Sequence, residues 1–439
     1  MPDTAIREKQ TPSNLGDTQP DSLALRLGDV PQAQATAAAR ADAVARLREM
    51  GLPRPRDEYW RYTDPAPFNA LETTPIPLDD AGDPPLFADI DRLRLVFVDG
   101  RFDAAASDDL PLAGIEITPL SQADNDPAHW VSTAYGVLET AGQTPVARPF
   151  AVLNTATAGD GVVIRVTGRV EKPLQILYRR SDPAADVVVH HVLRLEEGSE
   201  LTLMESGLVG ARANVVIEAD LAPHARLHHI DARRAGYARV SVSHLFARVD
   251  REASLKSFCL TLDGAHIRTE SIIDMVGDDA VAHVAGAVLG DGADFLHDDT
   301  VFVTHGALRG ESRQVFKKVL KNGAVGVFQG KILVKPGAQK TDGYQISQSL
   351  LLDEASQFLA KPELEIYADD VKCSHGSTTG ALDETALFYL RARGVPRERA
   401  IVLLVLSFLA DALAEVENDD LHERILDRLD EWLTQRAGH

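Results

Sequence analysis

Cysteine, basic charge and long apolar runs are all scarce in this 439-residue sequence, and each shortage excludes something. Two cysteines, Cys259 and Cys373, cannot build a disulfide framework and fit a reducing compartment. Lysine and arginine total 45 against 66 acidic residues, a formal net charge of −21 that would repel nucleic acid or an anionic membrane surface. The longest apolar run, IVLLVLSFLA at 401–410, is too short to cross a bilayer. The first twenty residues show no apolar signal core, so a cytoplasmic location is expected. A Walker phosphate loop is missing: GVFQGKI at 326–332 has one spacer too few and Ile332 where a Mg²⁺-binding hydroxyl belongs. Nucleotide hydrolysis is therefore not expected of this chain. GxSxG, HExxH and paired CxxC motifs are absent too.

What is present reads as a soluble chain, 44% hydrophobic and 25% charged, long enough for several structural regions. Residues 1–20 are polar and expected to form a disordered tail. Residues 21–150 form a helical and mixed region. Leu23 and Leu27, then Ala39, Ala43, Leu47 and Met50, recur at helical spacing until Gly51 stops the pattern. EYWRYTD at 58–64 is read as an aromatic anchor for a packed loop, and LRLVFVDGRF at 93–102 as a strand turning at Asp99-Gly100.

Between 151 and 380, short β-type runs are punctuated by turns, and no helical stretch separates them. EEGSELTLMES, LAPHARLHHID, VDREASLKSFC, VGDDAVAHVAG and LKNGAVGVFQG share a polar turn, a small residue and then alternation. The small residues are Ser199, Ala225, Ala253, Ala280 and Ala324, at intervals of 26, 28, 27 and 44. A period near 27 favours coils of a parallel β-helix over a β-sandwich, which demands no regular period. Residues 381–439 read as three helices: 382–394, the almost wholly apolar 396–416, and the amphipathic 421–435 with Leu421, Ile425, Leu426, Leu429 and Leu433 on one face. Something must cover the apolar helix, either its neighbours or another subunit.

Cys373 and His375 stand out in VKCSHGSTTG, 371–380. On a strand, residues two apart project to the same side, so thiolate and imidazole can face one ion, and this pair suits iron, zinc or an Fe–S cluster. Two ligands are too few for a complete site, so Cys373 is either a small apolar residue beside a histidine or, if the pair binds metal, one of two ligands whose remainder must come from another chain. The scattered histidines (His190, His191, His228, His229, His244, His266, His283, His297 and His305) are read as hydrogen-bonded core or rim residues.

The stretch from Lys317 to Pro396 resembles the SufB/SufD family of Fe–S cluster assembly proteins. It matches the SufD branch through P-x-L-E-I-x-A-D-D-V-K-C-S-H-G, here Pro362 to Gly376. GLPRPRDEYWRYTD at 51–64 and PFAVLNTATAGDGVVIRV at 149–166 resemble further family elements, and Ser377 stands where Ala is frequent. The resemblance implies a mainly β fold, a right-handed parallel β-helix flanked by N-terminal helical or mixed and C-terminal helical regions. It implies a non-catalytic scaffold subunit rather than an enzyme. Its partners would be a SufB-type subunit docked through the β-helix and a SufC-type ABC ATPase docked on the C-terminal helices, with a homodimer possible for the isolated chain. Cys373 and His375 match the family's interface Cys and His, so a transient Fe–S cluster or iron would be shared with the partner, with no cofactor held permanently. The competing expectation is a carbohydrate-active β-helix enzyme acting on acidic polysaccharide, with Asp298-Asp299 or Asp369-Asp370 as its carboxylates.

Overall fold

A computed structural model describes residues 19–28, 30–78, 86–110, 112–233 and 239–437. The expected tail at 1–20 lies outside them except for its last two residues. The first strands are β1 (Leu93–Val98), β2 (Arg101–Phe102), β3 (Ile115–Pro119), β4 (Val162–Val166), β5 (Leu174–Arg179) and β6 (Asp186–Leu195). Then follow β7 (Glu200–Gly207), β8 (Arg212–Leu221), β9 (Arg226–Arg233), β10 (Val240–Val249), β11 (Ser254–Leu262) and β12 (His266–Met275). The series ends with β13 (Val281–Asp291), β14 (Leu296–His305), β15 (Glu311–Lys321), β16 (Val325–Val334), β17 (Asp342–Leu351), β18 (Gln357–Ile366) and β19 (Lys372–Gly380). Helices α1 (Gln19–Leu27), α2 (Ala37–Met50), α3 (Ala66–Asn69), α4 (Leu120–Ala123), α5 (Val137–Ala141) and α6 (Pro149–Thr157) lie on the N-terminal side. Helices α7 (Glu384–Ala392), α8 (Arg397–Leu413) and α9 (Asp419–Ala437) close the chain.

From β5 onward the chain alternates between two sheets, odd-numbered strands in one and even-numbered strands in the other, with parallel pairing throughout. This is a parallel β-helix with two strands per coil. Ser254 lies opposite Val281, and Val281 opposite Glu311, so one coil takes 27 residues and the next 30. Among the described strands, the hairpin β1–β2, turning at Asp99-Gly100 as expected, and the pair β3–β4 run antiparallel.

The small residues of the repeat are all fully buried, but they occupy two corners rather than one. Ser199, Ala225, Ala253 and Ala280 each precede an odd strand. The residue before each has a positive φ: Gly198, His224, Glu252 and Asp279. The same corner continues with Arg309-Gly310 and Lys340-Thr341. Ala324 instead precedes the even strand β16, so the interval of 44 is one coil of 30, from Ala280 to Gly310, plus a further 14 across to the second sheet.

Inward-facing Leu, Val and Ile side chains from both sheets form the main core, including Leu203, Leu227, Leu255, Val215, Leu245 and Ile273. Both outer faces are also covered. α6 is buried along its length and packs with α2 and against β6 and β8, where Asn154 donates to the carbonyls of Val189 and Asn214. On the other sheet, α8 lays Val402, Val405 and Leu409 against Phe258, Ala287 and Val315, and α9 adds Leu421, Ile425, Leu429 and Leu433 to the same cluster. The apolar helix is therefore covered chiefly by its own sheet. Exposed large apolar groups remain at Phe388, Tyr389 and Leu403.

The aromatic anchor spans four even strands. Tyr59 and Trp60 are buried, and the Tyr59 carbonyl accepts from Arg268 on β12 and Gln329 on β16. Thr63 donates to Asp298 on β14 at 2.5 Å, and the Tyr59 hydroxyl donates to Glu363 on β18 at 2.5 Å. The Lys361 ammonium lies 4.1 Å from the Tyr59 ring centroid and pairs with Glu58 at 2.6 Å.

Candidate functional site

Cys373 and His375 lie on β19, the terminal strand of the ten-stranded sheet. Register fixes which way they face. Ala282, Ser312, Gly343 and Cys373 form one row across β13, β15, β17 and β19, and Val284, Gln314, Gln345 and His375 form the next. Ala282 and Val284 belong to the core between the sheets, so both rows face inward. Cys373 packs with Ile332, Val334 and Leu364, and a Cβ built on Gly343 would lie 3.2 Å from its Sγ. Two further inward pairs, Ser347 with Ser377 at 3.1 Å and Ser349 with Thr379 at 3.2 Å, complete the strand's contact with β17.

Among the described residues, no strand stacks beyond β19 or β18. The inner side chains of the last coil therefore open to solvent: Cys373 is half-buried and His375 exposed, whereas Gln314 and Gln345 on the preceding coils are fully buried. Beside the cysteine lies a groove of about 470 Å³ lined by Arg313, Asp342, Tyr344, Lys372, Cys373 and Ser374. Burial pushes the Cys373 thiol up and Asp342 adds to this, against a smaller opposing effect of the Gly343 backbone. The thiol is thus protonated at neutral pH in the isolated chain, and it becomes a ligand once a cation displaces the proton.

The second cysteine is elsewhere. Cys259 lies on β11, four strands from β19 in the same sheet and in the row that ends at Ser377, so about 19 Å across the strands and about 13 Å along them put it roughly 23 Å from Cys373. It borders an internal cavity of about 30 Å³ with Glu205, His229, Asp231, Ser257 and Asp299, a space for water rather than for a cluster. Burial raises its thiol far above neutral pH. No group of three or more His, Cys, Asp or Glu among the described residues is placed to hold a metal ion.

Of the nine histidines singled out from the sequence, His191, His229, His297 and His305 alternate with the core residues of their strands to face the inside of the coils, and the other five face outward. His191 meets the Tyr178 hydroxyl at 2.8 Å, and His229 meets Glu205 at 3.1 Å and Ser257 at 3.0 Å. His297 bridges Thr261 and Lys318, His305 meets Ser312, and His283 meets Glu415 on the chain after α8 at 2.8 Å. The carboxylates proposed for polysaccharide chemistry do not form a pair. Asp298 is held on the outer face by Arg268, Thr63 and Gln329, while Asp299 points inward to Lys318 at 2.5 Å. Asp370 is paired with Lys340.

Sequence reasoning found Cys373 and His375 but not the two rows they end. The spacing of two said that they share a side. That this side is the inside of a coil with nothing stacked on it follows only from the register.

Residues 178–408 match the family described as SUF system FeS cluster assembly, SufBD core domain. The chain is 28% identical over 411 residues to the iron-sulfur cluster assembly protein SufD of Escherichia coli, covering 88% of this chain and 90% of that protein. It is also 28% identical over 416 residues to an iron-sulfur cluster assembly SufBD family protein of Synechocystis, covering 88% of each. Similarity to the SufD of Bacillus subtilis is 25% over 284 residues, 62% of this chain and 64% of that protein.

Proposed function

Since the chain belongs to the SufB/SufD family of iron–sulfur cluster assembly proteins, on its SufD branch, we propose that it is a scaffold subunit whose Cys373 and His375 supply part of a ligand shell completed by a SufB-type partner. The observation that carries this reading is the open end of the β-helix. A solenoid needs its terminal coils capped, and an uncapped edge is a template for pairing with another chain. Here the uncapped coil is the one that bears the thiol and the imidazole.

The edge strand β18 carries Pro362, which has no N–H to offer a further strand, whereas β19, KCSHGSTTG, contains no proline. Strand pairing through β19 would set Cys373 and His375 directly against the partner's residues. The cluster is cargo in this scheme: iron and sulfide are held between chains and then passed on. A thiol that stays protonated until a cation arrives suits transient binding. This chain performs no bond-breaking step; its residues bind and orient. ATP hydrolysis belongs to a separate SufC-type ATPase, which docks on α7, where Phe388 and Tyr389 are 73% and 56% exposed. The whole assembly works in the cytoplasm.

The test is His375→Ala in the complex co-expressed anaerobically with SufB- and SufC-type partners. Subunit stoichiometry should be unchanged and the iron and sulfide content lowered. Full cluster content in that variant would remove His375 from the site.

A further inference from the structure

The inner row that ends at His375 contains two buried polar groups without a partner, Nε2 of Gln314 and Oε1 of Gln345. Gln345 lies opposite His375 in the β17–β19 register and is fully buried. Its Nε2 donates to Oε1 of Gln314, also fully buried, at 2.7 Å, while its own Oε1 is buried with no hydrogen-bond partner. Space has been left for this amide: a Cβ on Gly330, across the lumen on β16, would stand 1.9 Å from the Gln345 nitrogen. A buried amide oxygen without a donor calls for an explanation. The inward neighbours on β19 are Cys373, His375 and Ser377, and Ser377 is already bonded to Ser347. The ring of His375 makes no hydrogen bond among the described residues, and it sits one strand spacing, about 4.8 Å, along the row.

We propose that Gln345 is a positioning residue for His375: its Oε1 accepts the N–H of one ring nitrogen, which fixes the tautomer and turns the other nitrogen, with its lone pair, toward iron at the open end. This rests on the reading of His375 as a ligand. Metal-bound imidazoles donate their second ring N–H to such an acceptor, and loss of that acceptor weakens metal binding by 10- to 100-fold, to order of magnitude. His375 is exposed at the open end, so no packing holds its ring away from this row.

The experiment compares Gln345→Leu, which removes the oxygen at similar volume, with Gln345→Glu, which keeps an acceptor there, and Gln345→Asn, which withdraws the oxygen but stays polar. Imidazole ¹⁵N spectra of the full chain, assigned through His375→Ala, report the tautomer. Iron retained by the co-expressed complex against a chelator reports function. One dominant tautomer is expected in the parent and in Gln345→Glu. Mixed tautomers and about 10- to 100-fold weaker iron retention are expected in Gln345→Leu and in Gln345→Asn. Parent-like tautomers and retention in Gln345→Leu would overturn the role of Gln345. Gln345→Asn answers the same question should the leucine variant fold poorly. If His375→Ala lowers cluster content while Gln345→Leu and Gln345→Asn do not, only the positioning role fails. If His375→Ala leaves the content intact, the ligand assignment itself falls.

Discussion

Replacing Tyr59 by Phe removes one oxygen, 304 residues away in sequence from the carboxylate it binds. In the folded chain that hydroxyl donates to Glu363 on β18 at 2.5 Å. The phenyl ring would keep its packing against Phe302, at 5.1 Å between centroids, and its place under Lys361. A hydrogen bond to a charged acceptor contributes about 1.5–3 kcal/mol. The side chain of Glu363 is 30% exposed, and Lys361 remains 3.3 Å from it, so solvent screening lowers that value to about 1–2 kcal/mol. In a solenoid each coil touches only its neighbours, so the loss is felt locally. The opening equilibrium of the last coil should rise about 5- to 30-fold. Hydrogen exchange should then accelerate in residues 357–380 by that factor, while β7 and β9 stay unchanged. Equal acceleration in all coils, or none in the last, would refute the claim that residues 58–63 hold the terminal coil in place.

Acid should unfold the protein early. Burial holds His191, His228, His244 and His305 down to about 4, so in the unfolded chain, near 6.5, each binds a proton more readily. Their contribution to stability is full above about pH 6.5 and is lost as pH falls toward 4, by up to about 3 kcal/mol each. Glu270, where Arg268, His244 and Arg148 outweigh burial and hold the carboxyl at about 2, adds a further loss between about 4.5 and 2. A chemical-denaturation series from pH 7.5 to 4 should show falling midpoints; a flat profile would contradict the buried, neutral histidines. Lys318→Met should cost about 3–5 kcal/mol, because it leaves the Asp299 carboxylate buried inside the coil without its ammonium partner and with only His297, at 3.3 Å, beside it, and Lys318→Met with Asp299→Asn should recover part of that loss. Urea midpoints of the three proteins check both statements. Phe388→Asp together with Tyr389→Asp should abolish the proposed docking of a SufC-type ATPase in gel filtration and leave the melting temperature within a few degrees, since both side chains are exposed.

The solenoid was legible in the sequence because tight corners admit only small residues at a steady spacing, which Ser199, Ala225, Ala253 and Ala280 supply. Ala324 misled the count: both corners of a coil want a small residue, and spacing alone does not tell one from the other. Gly310 and Thr341, the true successors of Ala280, follow Arg309 and Lys340, long residues at positive φ that do not look like turn formers. The covering of α8 was hidden for another reason. Strands such as FCLTL and VAGAVLG are apolar on both faces, so alternation did not reveal an outer face waiting for a helix. At the site, Cys373 and His375 could be paired from their spacing. Gln345 carried no signal, because its meaning depends on lying opposite His375 across one coil.

The central claim is that the chain's own residues make up only part of a ligand shell, and the iron and sulfide stoichiometry of the isolated protein tests it most directly. After anaerobic purification and reconstitution with ferrous iron and sulfide, the isolated chain should lose its iron on desalting. The same preparation mixed with the SufB-type and SufC-type subunits should retain cluster in proportion to assembled complex. A stable, stoichiometric cluster on the isolated monomer, unaffected by His375→Ala, would contradict the account.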